Sequence, residues 1–246
     1  MTKRIAIVMA AGKGTRMKSE LPKVLFPVLG RPMIHYALDA ISAAGVDETI
    51  VVVGYRAEDV KQEIASRPNV RFALQAEQLG TGHAVMMCKE FLQQHEGPVL
   101  IVAGDSPMMQ PASIEALFEE FDRNQPACLL GTGYKDNPTG LGRIVRDGEG
   151  NFQGIVEEKD ATTEQKKITE VNLSTYVFNA ADLLHALSAL RADNAQSEYY
   201  LTDCPALLLR AGKVVKALDV LQPCESLSIN SREELAIVEA EMAKLK

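Results

Sequence analysis

Residues 4–16 read Arg4-Ile5-Ala6-Ile7-Val8-Met9-Ala10-Ala11-Gly12-Lys13-Gly14-Thr15-Arg16. A continuous apolar run without polar alternation is the pattern of a strand covered on both faces, as in a parallel sheet. The run passes directly into two glycines and two cations. Glycine lets the backbone approach a ligand closely and turn its N–H groups toward an anion. Lys13 and Arg16 add positive charge at the same place. Open α/β sheets bind ligands beyond the carboxyl ends of their strands, so this turn predicts a polyphosphate site.

The same apolar pattern recurs at 49–54 and 99–103, with a weaker run at 70–74. Helical patterns lie between and beyond them, at 33–44, 58–65, 81–93 and 113–124. In the last, Ser113 is the expected N-cap, and Leu117, Phe118 and Phe121 share one apolar face. After Asp122 the pattern turns strand-rich, with runs at 127–134, 143–146, 152–158, 171–178 and 213–220. The segment Asp147-Gly148-Glu149-Gly150-Asn151 predicts a hairpin turn. Helices are expected at 180–190, at 202–211 with Pro205 in its first turn, and at 231–244 capped by Ser231. The alternation predicts an α/β fold with a Rossmann-like, doubly wound, mixed but mostly parallel sheet.

Composition narrows the function. The chain has 246 residues, 46% of them hydrophobic, enough for a sizeable core and against wholesale disorder. Its net charge of −7 argues against non-specific nucleic-acid binding, which needs a basic face. Cys88, Cys128, Cys204 and Cys224 form no C-x-x-C pair. They read as small buried hydrophobes in a reducing, cytoplasmic setting. The start resembles a signal n-region, but its apolar run is short and is followed by glycines, not by a cleavage site. No apolar stretch reaches the ~18 residues of a membrane span.

Three common glycine motifs fail here. A Walker A loop needs a Gly-Lys pair in another context. A dinucleotide fingerprint needs a third glycine where Met17 stands, and an acid closing the second strand, where Gly54-Tyr55-Arg56 is found. A kinase loop needs the H-R-D and D-F-G segments, which do not follow. A plain tight turn is the alternative for an isolated two-glycine motif. Leu21-Pro22-Lys23-Val24-Leu25 adds a lysine aimed by a rigid proline; a solvated surface lysine is the alternative there.

The run A-A-G-K-G-T-R-M followed by L-P-K resembles the sugar-1-phosphate nucleotidyltransferases. These enzymes join a nucleoside triphosphate to a sugar 1-phosphate and release pyrophosphate. Residues 74–84, LQAEQLGTGHA, are similar to the base-reading segment of the N-acetylglucosamine-1-phosphate uridyltransferases in that family. Residues 136–144, 154–160 and 197–203 are similar to the same group, so the likeness covers about residues 4–235. It implies the nucleotide-diphospho-sugar transferase fold, with a nucleotide half near 1–125, a sugar half near 126–230 and a closing helix at 231–245.

The resemblance also implies a site. Backbone at Ala11, Gly12 and Gly14 would meet phosphates and the uracil edge. Arg16 would meet the β/γ-phosphates, and Lys23 would bridge UTP and the sugar phosphate. Gln75, helped by Gly80 and Thr81, would read uracil, since a neutral amide both donates and accepts; an ordinary surface glutamine is the alternative. Gly142, Glu157 and Asn172 would hold the sugar, with plain solvated charge as the alternative for Glu157. A magnesium ion would lie on Asp105 and Asn230. Asp105 closes the buried run Ile101-Val102-Ala103-Gly104, and Mg²⁺ favours one or two protein oxygens beside phosphate oxygens. A turn acid before Pro107 is the alternative for Asp105, and a helix cap that for Asn230.

Three departures stand out. Leu173-Ser174 follows Asn172 where the family usually has Thr-Gly. Ala103 stands where relatives carry bulkier residues. Bacterial relatives continue into a β-helix acetyltransferase, so that activity and a β-helix trimer are not expected of these 246 residues. The function expected is uridylyl transfer to N-acetylglucosamine 1-phosphate. The same chemistry on glucose 1-phosphate with UTP or dTTP is the alternative. A non-catalytic nucleotide-sugar sensor and a dehydrogenase follow behind.

Overall fold

The computed structural model describes residues 2–14, 19–227, 229 and 231–244. Its elements are β1 Ile5–Ala10, β2 Pro27–Val28, β3 Arg31–Pro32, α1 Met33–Ala43, β4 Glu48–Val53, α2 Ala57–Glu63 and β5 Val70–Leu74. Next come α3 Thr81–Met86, α4 Lys89–Gln93, β6 Pro98–Ala103, α5 Pro111–Asn124, β7 Cys128–Tyr134, β8 Gly142–Arg146 and β9 Phe152–Val156. The chain continues with β10 Glu170–Asn179, α6 Ala180–Ala189, α7 Cys204–Arg210, β11 Val215–Asp219 and α8 Arg232–Lys244.

The main sheet runs β11-β7-β10-β6-β1-β4-β5, with the β8–β9 hairpin attached to β10. β1 pairs in parallel with both β4 and β6, β4 with β5, and β7 with β11. β10 alone on this path runs against its neighbours β6 and β7. This is the doubly wound, mostly parallel sheet expected from the apolar runs.

Alternation within β1 shows why those runs are unbroken. Ile5 and Ile7 enter a core packed against α3, α4, α6 and α7. Ala6, Val8 and Ala10 enter the opposite core, against α1, α2 and α5. Both faces are dry along Ile5–Val8, so those positions do not tolerate a polar residue, while Met9 is partly exposed at the strand's carboxyl end. Ile7 and Ile50 are essentially inaccessible, and truncating either to alanine costs about 2–5 kcal/mol. Cys88, Cys128 and Cys204 are buried as expected, and burial pushes the Cys88 thiol up to about 12.

Several boundaries differ for identifiable reasons. The helix expected over 81–93 is two helices. At the join the Cys88 N–H donates to the Val85 carbonyl (2.9 Å), a tightened turn that lets Cys88 and Leu92 both reach the core. The strand expected over 152–158 ends at Val156, because the Glu157 carbonyl accepts from Asp160 N–H (3.0 Å) in a turn. Ser113 is not a cap: α5 starts two residues earlier, at Pro111, with Gln110 in the cap position. The Ser113 hydroxyl instead donates to Glu225 (2.5 Å), and the same carboxylate accepts from the Gln110 N–H (3.0 Å). The Asp147–Asn151 turn, Pro205 in the first turn of α7 and Ser231 accepting from Glu234 N–H (3.2 Å) all match expectation.

Candidate active site

The carboxyl ends of β1 and β6 and the residue after β5 open into a cleft of about 320 Å³. Backbone hydrogen bonds tie these ends together: Gly104 N–H donates to Met9, Tyr55 N–H to Ala11 and Gln75 N–H to Val53, at 2.8–3.0 Å. Ala11, Gly12, Lys23, Gln75, Gly80, Thr81 and Asp105 all line the cleft, so seven of the expected residues meet there.

Local chemistry places Lys23. Pro22, at φ −52°, starts a 3-10 turn over Lys23–Leu25, and its carbonyl accepts from Leu25 N–H (2.9 Å). Gly14 does not line the cleft but is needed beside it. Its φ is +68°, and a β-carbon there would lie 2.7 Å from Lys23 Cβ. The second glycine of the loop thus makes room for the lysine stem. The ammonium meets Asp105 directly, with Nζ 2.5 Å from Oδ2, and both side chains remain partly exposed to the cleft. The Lys13 ammonium lies over the Tyr55 ring, 5.0 Å from its centroid. Arg16 and Asn230 lie outside the described residues.

Gln75 is buried, not a surface glutamine. Its amide nitrogen donates to the Gly80 carbonyl (3.0 Å) and lies 3.1 Å from His83 Nδ1. That fixes the amide plane at the cleft wall. The Gly80-Thr81-Gly82 segment is clamped by the loop before α7. Gly82 N–H donates to Tyr199 (2.7 Å), Tyr199 N–H to Leu79 (2.8 Å) and Leu201 N–H to the Thr81 hydroxyl (3.0 Å). A β-carbon on Gly80 would lie 2.6 Å from the Tyr199 carbonyl, at a φ of +109°. Gly80→Ala is therefore expected to destabilise the fold by about 1–3 kcal/mol or more. The check is the midpoint of urea unfolding, which an unaffected variant would leave in place.

Gly142, Glu157 and Asn172 do not line the cleft around Lys23 but form a cluster next to it. The β-carbon position of Gly142 is 3.6 Å from Asn172 Cβ and 3.7 Å from Glu157 Oε1. Thr202 donates to Glu157 (2.9 Å), and Ser174 N–H donates to Asn172 (3.3 Å). Ser174 itself lines the cleft, so it joins the two groups. Burial raises the Glu157 pKa above the usual carboxylate range, against the Thr202 hydrogen bond, with Asp203 and Asp160 adding repulsion. A carboxylate raised in the folded state contributes stability at low pH that is lost as pH rises through its folded value. Glu157→Gln should therefore unfold at a higher temperature than the parent at pH 7, the two curves converging near about pH 4. Parallel melting curves across that range would contradict it.

Sequence reasoning assigned no role to Gln78, Glu198 or Ser174, which also line the cleft, or to Thr202, which orients Glu157. Gln78 and Glu198 fall within the segments quoted above for their likeness, and Ser174 is one of the departures.

Comparison with known proteins agrees with this fold. Residues 5–221 match the nucleotidyl transferase family. The chain is 47% identical over 234 residues to the bifunctional protein GlmU of Pelotomaculum thermopropionicum, covering 95% of this chain and 51% of that one. It is 46% identical over 240 residues to the bifunctional protein GlmU of Heliobacterium modesticaldum, covering 98% and 52%. The chain thus spans about half the length of the curated relatives it matches. Two solved structures share the fold. One is a putative glucose-1-phosphate thymidylyltransferase from Bacillus anthracis in complex with a sucrose (TM-score 0.80, 18% identity, 97% and 94% covered). The other is a UDP-glucose pyrophosphorylase complexed with UDP-glucose (TM-score 0.80, 17% identity, both chains fully covered). The match over residues 5–221, on a sheet whose strand ends bring Lys23 to Asp105, places the chain in the nucleotidyl transferase family.

Proposed function

We propose that the chain transfers a uridylyl group from UTP to N-acetyl-α-D-glucosamine 1-phosphate, giving UDP-N-acetylglucosamine and pyrophosphate. The observation that carries this reading is the Lys23–Asp105 pair in one cleft with the buried Gln75 amide. The bifunctional relatives support it, since this chain corresponds to about half of each and would carry one of two activities.

In this reading a phosphate oxygen of the sugar 1-phosphate attacks the α-phosphorus of UTP in line. The new P–O bond forms as the bond to the bridging oxygen breaks, and pyrophosphate departs. The nucleophile is already anionic, so no side chain need remove a proton; positioning and electrostatics supply the rate. Lys23 bridges the two phosphates. Gly12 leaves the backbone open to the triphosphate, for among the described residues none beyond its two chain neighbours comes within 4 Å of where its β-carbon would be. Gln75 reads the base, and Gly142, Glu157 and Asn172 hold the sugar. The nucleotide half is then about residues 1–125 and the sugar half about 126–230, closed by the C-terminal helix.

A divalent ion fits this donor set. The Asp105 carboxylate is a hard oxygen ligand that faces the cleft and sits beside a cation it can exchange for a metal. Asp105, with Asn230 by resemblance, would hold Mg²⁺, which when bound supplies charge neutralisation at the phosphates.

Pyrophosphate release tests the reading, with UTP and dTTP each offered N-acetylglucosamine 1-phosphate, glucosamine 1-phosphate and glucose 1-phosphate. The highest kcat/KM is expected for UTP with the N-acetylated sugar. Preference for dTTP with glucose 1-phosphate would overturn the substrate assignment.

A further inference from the structure

Six described residues other than glycine hold a positive φ: Leu29, Arg56, Asn69, Gln125, Ser174 and Ser197. Five of them lie in turns and loops or at helix ends. Ser174, at φ +56°, lies inside a strand. There the pairing of β10 with β7 slips: Asn172 faces Thr132 and Thr175 faces Gly131, which leaves Leu173 and Ser174 without partners on β7. The two extra residues go to different places. Leu173 packs over Gly133, 3.4 Å from its β-carbon position, while Ser174 lines the cleft that holds Lys23 and Asp105.

Left-handed backbone is unfavourable for any residue with a β-carbon, and glycine adopts it freely. The fold gains nothing from the serine side chain that offsets this. The backbone N–H donates to Asn172 Oδ1 (3.3 Å), a bond glycine would keep, and no described residue hydrogen-bonds the hydroxyl. Backbone strain held in a cleft is a signature of function when the strained side chain faces the ligand space. β10 belongs to the sugar half, and Ser174 stands where that half meets the reacting phosphates.

We propose that Ser174 is a specificity-determining residue for the sugar 1-phosphate, its hydroxyl hydrogen-bonding that substrate between the Asn172–Glu157 cluster and the Lys23–Asp105 pair. The inference rests on the uridylyl-transfer reading. Ser174→Gly relieves the strain and removes the hydroxyl. It should raise the unfolding midpoint by about 2–4 °C and raise KM for N-acetylglucosamine 1-phosphate about 5- to 10-fold. KM for UTP should change less than twofold. Ser174→Ala keeps the strain, so it should raise the sugar-phosphate KM as glycine does without the gain in midpoint. The Ala variant also keeps the test open if the Gly variant folds poorly. An unchanged sugar-phosphate KM in both variants, or the two KM values rising together, overturns the inference while wild-type turnover still upholds the reading. A folded wild-type chain inactive with every nucleotide and sugar 1-phosphate pair removes the reading, and the inference with it.

Discussion

Replacing Lys23 by alanine is expected to lower kcat/KM for uridylyl transfer about 10²- to 10³-fold, the loss typical when one preorganised charge is removed from a developing transition state. The lysine is not a generic surface cation. Pro22 fixes the turn that carries it, Gly14 clears space for its stem, and its ammonium sits 2.5 Å from Asp105. Lys23→Arg should restore little. A guanidinium is broader and planar, and it does not reproduce a point charge bridging two phosphates. Affinity for UDP-N-acetylglucosamine, measured by calorimetry, should fall less than about tenfold, because most ground-state contacts remain. Equal modest losses in turnover and binding would favour a nucleotide-sugar sensor over an enzyme.

Asp105→Asn should lower kcat about 10²-fold or more and raise the Mg²⁺ concentration needed for half-maximal rate about tenfold. The substitution keeps the shape and removes one charge. Fold stability should change by no more than about 1 kcal/mol, since the ion pair is partly exposed and screened. The Lys23→Ala, Asp105→Asn double variant should be little slower than the worse single variant, because the two groups serve one charge distribution. Steady-state pyrophosphate release across a Mg²⁺ series checks both statements. Full additivity of the two losses would place the residues in separate tasks.

The sheet was legible because its central parallel strands β1, β4 and β6 are buried on both faces and so appear as apolar runs, while the edge strands β5 and β11 carry charged residues and gave weaker signals. The end of the first strand then located the Gly-Lys-Gly turn, whereas Asp105, which a turn before Pro107 explains equally well, was singled out only by the family resemblance. What failed to show was set by distant partners. The start of α5 depends on Glu225, which reaches Ser113 and Gln110 although it lies 112 and 115 residues further along the chain. The break between α3 and α4 depends on where Cys88 must pack. A surface amide stayed open as the alternative for Gln75 because its burial comes from Gly80 and His83, which its amide nitrogen meets. Thr202 sits in a short 3-10 turn, with no periodic signal, yet it orients Glu157. The departure at Ser174 was visible as letters, but its meaning came from the positive φ and the bulge.

Both substrates are expected to meet at the Lys23–Asp105 pair. A crystal structure with UDP-N-acetylglucosamine and Mg²⁺ addresses it directly. The diphosphate is expected within hydrogen-bonding distance of Lys23 Nζ, the metal on the Asp105 carboxylate, uracil against Gln75 and the sugar against Glu157 and Asn172. Nucleotide density elsewhere on the molecule, with the Lys23–Asp105 ion pair intact and untouched by phosphate or metal, would contradict the account.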